Sequence, residues 1–463
     1  MMTFDSRETI LVIGLGKSGL SCVRVLRARG ATVIATDEKP ETELDLAISA
    51  VESTGARFLA PDKLASALPT LTSAVLSPGI PLNSLVVLAV QAANVPVLGE
   101  IEVAFRLCKA PIVAVTGTKG KSTTTALIGH LLRSCGLSVH VGGNIGNPLI
   151  DEVLDAKPTD WVVAEVSSFQ LETIRAFKPR VAVLLNVAPD HLDRYHSMDE
   201  YAEAKFRIFA NQAFGDFFIG NLDDERVMEL DVTKSERNIR SRQLWFTLGD
   251  RRENATIYVQ GENIVYAPIS GDPRPVVVMR RDEIPLAGGH NVQNVMAALL
   301  AAFAIGCELS ALREAVTTFH GMPHRLETIE EIDGVLYVDD SKSTNPGSVV
   351  AALRAYDRPI VLIAGGRAKG TDFVEMGVAI RQRAKALVVM GEAADDITAN
   401  TQGVPTEHAS SMVDAVRIAR GLASSGDVVL LSPGCASFDM FRSAEDRGKQ
   451  FAAAVLALVP AGA

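Results

Sequence analysis

Ala114-Val-Thr-Gly-Thr-Lys-Gly-Lys-Ser-Thr123 is a glycine-rich loop ending in Lys121-Ser122. The apolar run Pro111 to Val115 leads into it and a helical pattern from Thr124 to Ser134 leads out, which predicts strand, loop and helix. Such a loop aims backbone N–H groups and a helix N-terminus at phosphate oxygens. A lysine there adds charge, and a serine hydroxyl reaches Mg²⁺. The longer phosphate-loop pattern wants glycine where Val115 stands, so this is a shortened variant. ATP or a close relative is the ligand expected at Gly117, Thr118, Lys119, Gly120, Lys121, Ser122 and Thr123.

Outward from the loop, strand-like and helical runs alternate, which predicts parallel sheets with covering helices. The expected fold is α/β with three domains. A Rossmann-like domain takes 1–99, a central P-loop-type ATP-binding domain 100–321, and a doubly wound domain 322–463. The first carries strands Thr9 to Ile13, Ala31 to Thr36 and Ser73 to Leu76. The second opens with a helix from Glu100 to Cys108 and continues with buried strands Trp161 to Glu165 and Val181 to Asn186. Residues 216 to 284 read as a peripheral β element, followed by helices Asn291 to Ile305 and Leu309 to Phe319. The third carries strands Val335 to Asp339, Pro359 to Ile363, Leu387 to Met390 and Val428 to Leu431.

Composition narrows the class. The 463 residues are 48% hydrophobic and 22% charged, the mark of an ordinary globular chain with material for large cores. A net charge of −10 argues against nucleic acid or an acidic membrane as partner. No apolar run is long enough to span a bilayer, and the polar start lacks the pattern of a secretory signal. The five cysteines are scattered, with no C-x-x-C, which predicts a reducing compartment, the cytoplasm, without disulfide frame or zinc site.

Several constellations carry chemistry. Gly14-x-Gly-x-x-Gly19 after a strand, with Asp37 ending the next, fits a dinucleotide fingerprint, a tight packing turn, or a turn holding another nucleotide such as a uridine diphosphate. The neighbouring phosphate loop favours the last. Glu165 ends a strand beside that loop, where Mg²⁺ is usually held, although an isolated strand-end glutamate is more often solvated. His191, with Asp190 beside it, is a metal ligand or substrate contact in a cluster of ionisable groups. Lys205 reads equally as a solvated helix lysine or a functional one. Asn291 stands at a helix start as a natural N-cap, and a contact to a base is compatible with that. Around the third sheet, His324-Arg325, Asp340, Lys342, Lys369 and Ser437 gather cations and small polar groups at strand ends, which suits a cleft for an acidic substrate and phosphate.

Taken in order, six segments resemble the Mur ligases, the ATP-dependent amino-acid-adding enzymes of peptidoglycan synthesis. They are G-T-K-G-K-S-T, E-V-S-S-F-Q-L from Glu165, D-H-L-D-R-Y from Asp190, G-H-N from Gly289, M-P-H-R-L-E from Met322 and D-D-S-K-S-T-N from Asp339. The turn G-L-G-K-S-G, L-S-P-G-I-P near Ser77 and L-S-P-G-C-A-S-F-D near Ser437 are most similar to the branch that adds D-glutamate to UDP-N-acetylmuramoyl-L-alanine. The resemblance implies that ATP phosphorylates the substrate carboxylate and that the D-glutamate amine displaces phosphate from the acyl phosphate. It implies catalytic roles for Lys121, His191 and Lys205, with Lys205 carbamylated by CO₂. Ser122 and Glu165 would hold one Mg²⁺, His191 and Lys205 a second. Asn291 would meet adenine, and Arg325 and Asp340 the rest of ATP. Lys342, Thr344, Lys369 and Ser437 would form the D-glutamate pocket, and Ser18, Asp37, Gly79, Asn144 and Gln170 would face the UDP-sugar. A monomer is expected, with hinges near Gly99 and Met322 that let the domains close on ATP. The pattern departs near Ala444, where some relatives carry an aromatic residue that Phe441 would have to replace. A folate polyglutamate ligase shares the central features but lacks the Gly14–Gly19 domain. A nucleotide-binding regulator would not need Glu165, His191 and Lys205 together, and nothing in the chain suggests the hydride site of a dehydrogenase.

Overall fold

Short runs of Val, Ile, Leu and Ala, closed by glycine-bearing turns, form the strands of three sheets in the computed structural model. It describes residues 4–190, 194–229, 239–250, 254–268, 274–286, 288–368 and 372–459. The chain divides into two compact units, Met1–Ile284 with His290–Thr318, and Pro285–Gly289 with Phe319–Ala463.

The first unit holds two sheets. One is parallel, in spatial order Arg57–Phe58, Thr32–Thr36, Thr9–Ile13, Ser73–Leu76, Val97–Gly99. Strand order reverses between Thr9–Ile13 and Ser73–Leu76, and ligands of open α/β sheets bind at the carboxyl ends of such a pair. The second sheet has the core order Phe217–Asn221, Val181–Leu184, Ile112–Thr116, Trp161–Glu165, Val139–Gly143, all parallel. Residues expected as a peripheral β element instead extend this sheet. Phe217–Asn221 pairs in parallel with Val181–Leu184 and with Arg242–Thr247, and a meander of Ile257–Gln260, Asn263–Tyr266 and Val276–Arg280 completes the edge. The short, turn-rich stretches looked peripheral because edge strands alternate polar and apolar residues, whereas the sheet centre is apolar throughout.

The strand Val97–Gly99 runs directly into the helix Glu100–Leu107 with no loop between them. Ile10, Leu98, Ile101, Ile112 and Ile150 share one core, so both sheets pack on common apolar residues. Two carboxylates lie in this junction. Glu100 accepts the Ile150 N–H at 2.7 Å, and burial pushes its pKa up to about 7. Glu102, fully buried, accepts N–H groups of Arg175, Ala176 and Phe177 at 2.8–3.0 Å and the Arg106 guanidinium at 2.7 Å. Glu102→Ala strands those donors, so we expect a loss of about 3 kcal/mol in thermal unfolding of the full chain. A change within about 0.5 kcal/mol would contradict this reading of the junction.

The second unit has one sheet, ordered Glu327–Ile332, Val335–Asp339, Val428–Gly434, Ile360–Gly365, Ala384–Met390, Thr406–His408. All pairs are parallel except the first, an antiparallel edge that the sequence reading did not include. Helices on both faces bury separate cores, one with Leu362 and Met376, the other with Ile363 and Phe451. Among the described residues no helix is long and apolar enough to cross a membrane.

Candidate active site

The phosphate loop leaves the central strand Ile112–Thr116 and enters the helix Lys121–Ser134 through Gly120. Gly120 has φ +83°, and a Cβ there would stand 2.4 Å from Asn294 Oδ1, so glycine is required twice over. Lys121 Nζ donates to the carbonyls of Gly117 at 3.0 Å and Thr118 at 2.9 Å, folding its charge over the loop. Asn186, at the end of the neighbouring strand, braces the loop. Its Oδ1 accepts the Thr118 N–H at 3.0 Å and the Lys119 N–H at 2.8 Å, while its Nδ2 donates to the Lys119 carbonyl at 3.0 Å. Asn186→Ala leaves the loop amides to water and to disorder, so the KM for ATP should rise about 10- to 100-fold with a smaller change in kcat. An unchanged KM would show that the loop holds its shape without this brace.

Lys205 lies on the helix Met198–Phe206 and is 1% exposed. Its Nζ donates to the Gly117 carbonyl at 2.9 Å and sits 4.5 Å from the centre of the Tyr201 ring. Tyr201 in turn shares a 3.2 Å hydrogen bond with the hydroxyl of Thr118, which also accepts the Ala188 N–H at 3.0 Å. Burial, then the charge of Lys121, pulls the Lys205 pKa down to about 7, against a smaller opposing pull from Asp190. The fold thus disfavours the ammonium form of this side chain relative to the neutral amine.

Glu165 pairs in register with Val115 on one side and Gly143 on the other, at the carboxyl end of the sheet that feeds the loop. It is 2% exposed. Asn144 Nδ2 donates to its Oε1 at 2.8 Å, while Oε2 is buried without a hydrogen-bond partner. A buried carboxylate oxygen left open beside a phosphate loop is a site made for a cation. Asn144, assigned from sequence to the sugar nucleotide, here orients that carboxylate.

Asn291 is not an N-cap. The helix Gly289–Ile305 begins two residues earlier, and the Asn291 side chain accepts from Asn294 Nδ2 at 3.0 Å. Asn294, which the sequence reading passed over, touches the phosphate loop at Gly120.

At the switch point of the first sheet, Asp37 accepts the Leu15 N–H at 2.6 Å and the Lys39 N–H at 3.0 Å, so its first task is to fix the glycine turn. Gly19 is there for packing, since its Cβ would fall 1.8 Å from the Gly14 carbonyl oxygen. Ser18 stands half-buried in the first turn of the helix Lys17–Ala28, and Gly79 is exposed with open space where a side chain would go. Gln170 is buried and closes a capping box with Ser167. It lines a cleft between the two sheets with Ser77, Gly99, Glu100, Phe169 and Arg194. Arg194 stacks 4.0 Å from the Phe169 ring centre and pairs with Glu172 at 2.6 Å.

In the second unit the carboxyl ends of three strands meet. Asp340, 5% exposed, accepts the Ser432 hydroxyl at 2.8 Å and that of Ser343, and burial raises its pKa to about 6. The ring of His324 bonds Asp339 at 2.7 Å, and its backbone N–H bonds Glu327 at 2.7 Å, which leaves Arg325 exposed. Lys342 pairs with Glu445 at 2.5 Å, Thr344 is exposed and Ser437 is 2% exposed. The exposed aromatic side chain after Ser437 is Phe438, whereas Phe441 packs against the core. Arg447, 1% exposed, was not anticipated. It donates to the Ser341 hydroxyl at 3.0 Å, the Ser341 carbonyl at 2.9 Å and the Cys435 carbonyl at 3.2 Å, tying the Lys342 and Ser437 loops together. His191 and Lys369 lie outside the described residues.

The chain matches three family models in order: Mur ligase MurD-like, N-terminal domain, over residues 8–99; Mur ligase middle domain, over 115–302; and Mur ligase, glutamate ligase domain, over 324–435. It is 44% identical over 466 residues to the UDP-N-acetylmuramoylalanine–D-glutamate ligase of Pelotomaculum thermopropionicum, covering 99% of each chain. It is 41% identical to the enzyme of that name from Salinibacter ruber, covering 96% of this chain and 97% of the other. Among solved structures, MurF from Acinetobacter baumannii superposes with a TM-score of 0.59 at 16% identity, covering 96% of this chain and 93% of that one. The UDP-N-acetylmuramate–alanine ligase of Thermotoga maritima gives 0.57 at 19% identity, covering 97% and 99%. At those identities the structures speak to the fold alone.

Proposed function

The chain belongs to the Mur ligase family, and on that premise we propose that it adds D-glutamate to UDP-N-acetylmuramoyl-L-alanine at the expense of ATP, in the cytoplasmic assembly of a peptidoglycan precursor. The observation that carries the reading is a buried lysine of depressed pKa, Lys205, held against the phosphate loop beside Lys121. Residues 1–99 would take the UDP-sugar, 100–321 ATP, and 322–463 the amino acid. This division goes with the reading.

The open Oε2 of Glu165 and the Ser122 hydroxyl at the loop helix fit one Mg²⁺, with His191 and a carbamylated Lys205 assigned by family likeness to a second. Bound there, Mg²⁺ supplies positive charge against the oxygens of the transferring phosphoryl group. Lys205 suits carbamylation for a physical reason. Its neutral amine can add to CO₂ with loss of a proton, and the Lys121 charge that disfavours the ammonium favours the carbamate anion.

The chain's own residues then bind and orient. Loop amides from Gly117 to Ser122 and the Lys121 ammonium cradle the ATP phosphates. Asn291 would face the base, and Arg325 with Asp340 the rest of the nucleotide. Ser18, Asp37, Gly79, Asn144 and Gln170 would line or shape the UDP-sugar site, and the Arg194 guanidinium in the Gln170 cleft adds a cation suited to an anionic ligand. Lys342, Thr344, Lys369 and Ser437 would receive D-glutamate. A carboxylate oxygen of the muramoyl-alanine attacks the γ-phosphorus and ADP leaves. The D-glutamate amine then attacks the acyl carbon, and phosphate leaves carrying that carboxylate oxygen. With ¹⁸O in the substrate carboxylate, the released phosphate should therefore contain one labelled oxygen. Unlabelled phosphate would rule out the acyl phosphate.

A further inference from the structure

Cys135 and Cys307 are far apart in sequence, yet both line one cavity of about 370 Å³ in the first unit. Leu137, Trp161 and Ile305 give its wall apolar surface, and Ser134 and Glu308 add polar groups. Both thiols are free and half-buried. They are near enough to interact: the Cys307 thiol is pushed up to about 12 by burial first and then by the neighbouring Cys135 thiol. Cys22 and Cys435 are buried elsewhere, and Cys108 bonds the Ala110 carbonyl.

The position of the pair in the fold gives it leverage. Cys135 ends the helix Lys121–Ser134, whose first turn carries Lys121 and Ser122. Cys307 lies just past the helix Gly289–Ile305, whose first turns carry Asn291 and Asn294. Asn294 touches the phosphate loop at Gly120. Two helices that approach at the nucleotide loop through their N-terminal turns thus also share, at their C-terminal ends, one cavity lined by two cysteines.

We propose that Cys135 and Cys307 are a thiol-exchange site for low-molecular-weight disulfides, and that its closure into an internal disulfide weakens ATP binding at the other end of the two helices. The second half rests on the assignment of the phosphate loop to ATP. One thiolate attacks the external disulfide, forming a mixed disulfide and expelling one thiolate. The second cysteine then attacks the mixed disulfide and expels the other. Two protein thiols are oxidised, and one disulfide is reduced to two thiols. A covalent bond between the sulfurs is shorter than their contact as thiols, so closure draws the helix ends together and shifts the loop they carry. Such pairs in reducing compartments are typically transient and redox-sensing. Exchange runs through the thiolate, so it should be faster at pH 8.5 than at pH 7.

The test uses the full chain, reduced and then incubated with glutathione disulfide. Thiol counting, intact mass and peptide mapping read the site, and calorimetry reads the affinity for ATP. Expected are the loss of two thiols without added mass, a Cys135–Cys307 cross-linked peptide, and ATP binding at least about threefold weaker, restored by dithiothreitol. In Cys307→Ser no internal disulfide should form, and ATP affinity should ignore the oxidant. Separate glutathione adducts on both cysteines, unreacted thiols, or a closed disulfide with unchanged ATP affinity would overturn the proposal. If the reduced chain does not bind ATP, the ligase reading fails, while mapping still decides whether the pair closes.

Discussion

Lys205→Met should lower kcat roughly 10²- to 10³-fold, the scale of losing one preorganised charged group from a reacting centre, and bicarbonate should not restore it. The same change should leave the protein no less stable. The Lys205 amine titrates near pH 7 in the fold against about 10.5 in the unfolded chain. Between those values the unfolded chain binds the extra proton, so the wild type gains stability as pH rises from 7 toward 10 and carries its full penalty below 7. Methionine removes the penalty, so its advantage in thermal unfolding should be larger at pH 6 than at pH 9. At a fixed level of dissolved CO₂, wild-type activity should fall as pH drops below about 7, because protonation of the amine competes with carbamylation. A variant with normal kcat, or a wild type indifferent to CO₂ removal at pH 6.5, would take Lys205 out of the chemistry.

Glu165→Gln should cost roughly 10²-fold in kcat/KM and raise the Mg²⁺ concentration needed for half-maximal rate. The substitution preserves shape, and its carbonyl can still accept the Asn144 bond that now reaches Oε1 at 2.8 Å. What it removes is the carboxylate oxygen Oε2, buried without a hydrogen-bond partner, whose burial costs free energy that a bound cation would offset. Thermal unfolding without Mg²⁺ should therefore change little or shift upward, by about 1 kcal/mol at most. A large drop in stability with the Mg²⁺ requirement unchanged would make Glu165 a structural residue only.

What could be read beforehand follows from the physics of strands and turns. Trp161 to Glu165 and Val335 to Asp339 were legible to the residue, because continuous apolar runs closed by a polar group occur where a parallel strand ends at a ligand edge. The phosphate loop was legible because positive-φ glycine, lysine and serine at fixed spacing serve a local geometry. Asn186, Glu102 and Arg447 were opaque for the opposite reason. Each works by reaching groups distant in sequence, and nothing in the local pattern separates them from surface polar residues. Asn291 was misplaced as a cap since its partner, Asn294, is a turn away inside the helix. The outer strands of the second sheet read as a peripheral β element because edge strands lack the apolar density of the centre. Lys205 stood undecided on local grounds, and only its burial against Gly117 separates it from a solvated lysine.

The most direct test of the central claim is ATP-dependent phosphate release with UDP-N-acetylmuramoyl-L-alanine and Mg²⁺, run in parallel with D-glutamate, L-glutamate, L-alanine and a diamino acid. Release coupled to amide product with D-glutamate alone is the predicted result. Product with another of the four, or silence with all of them while ATP still binds, would contradict it.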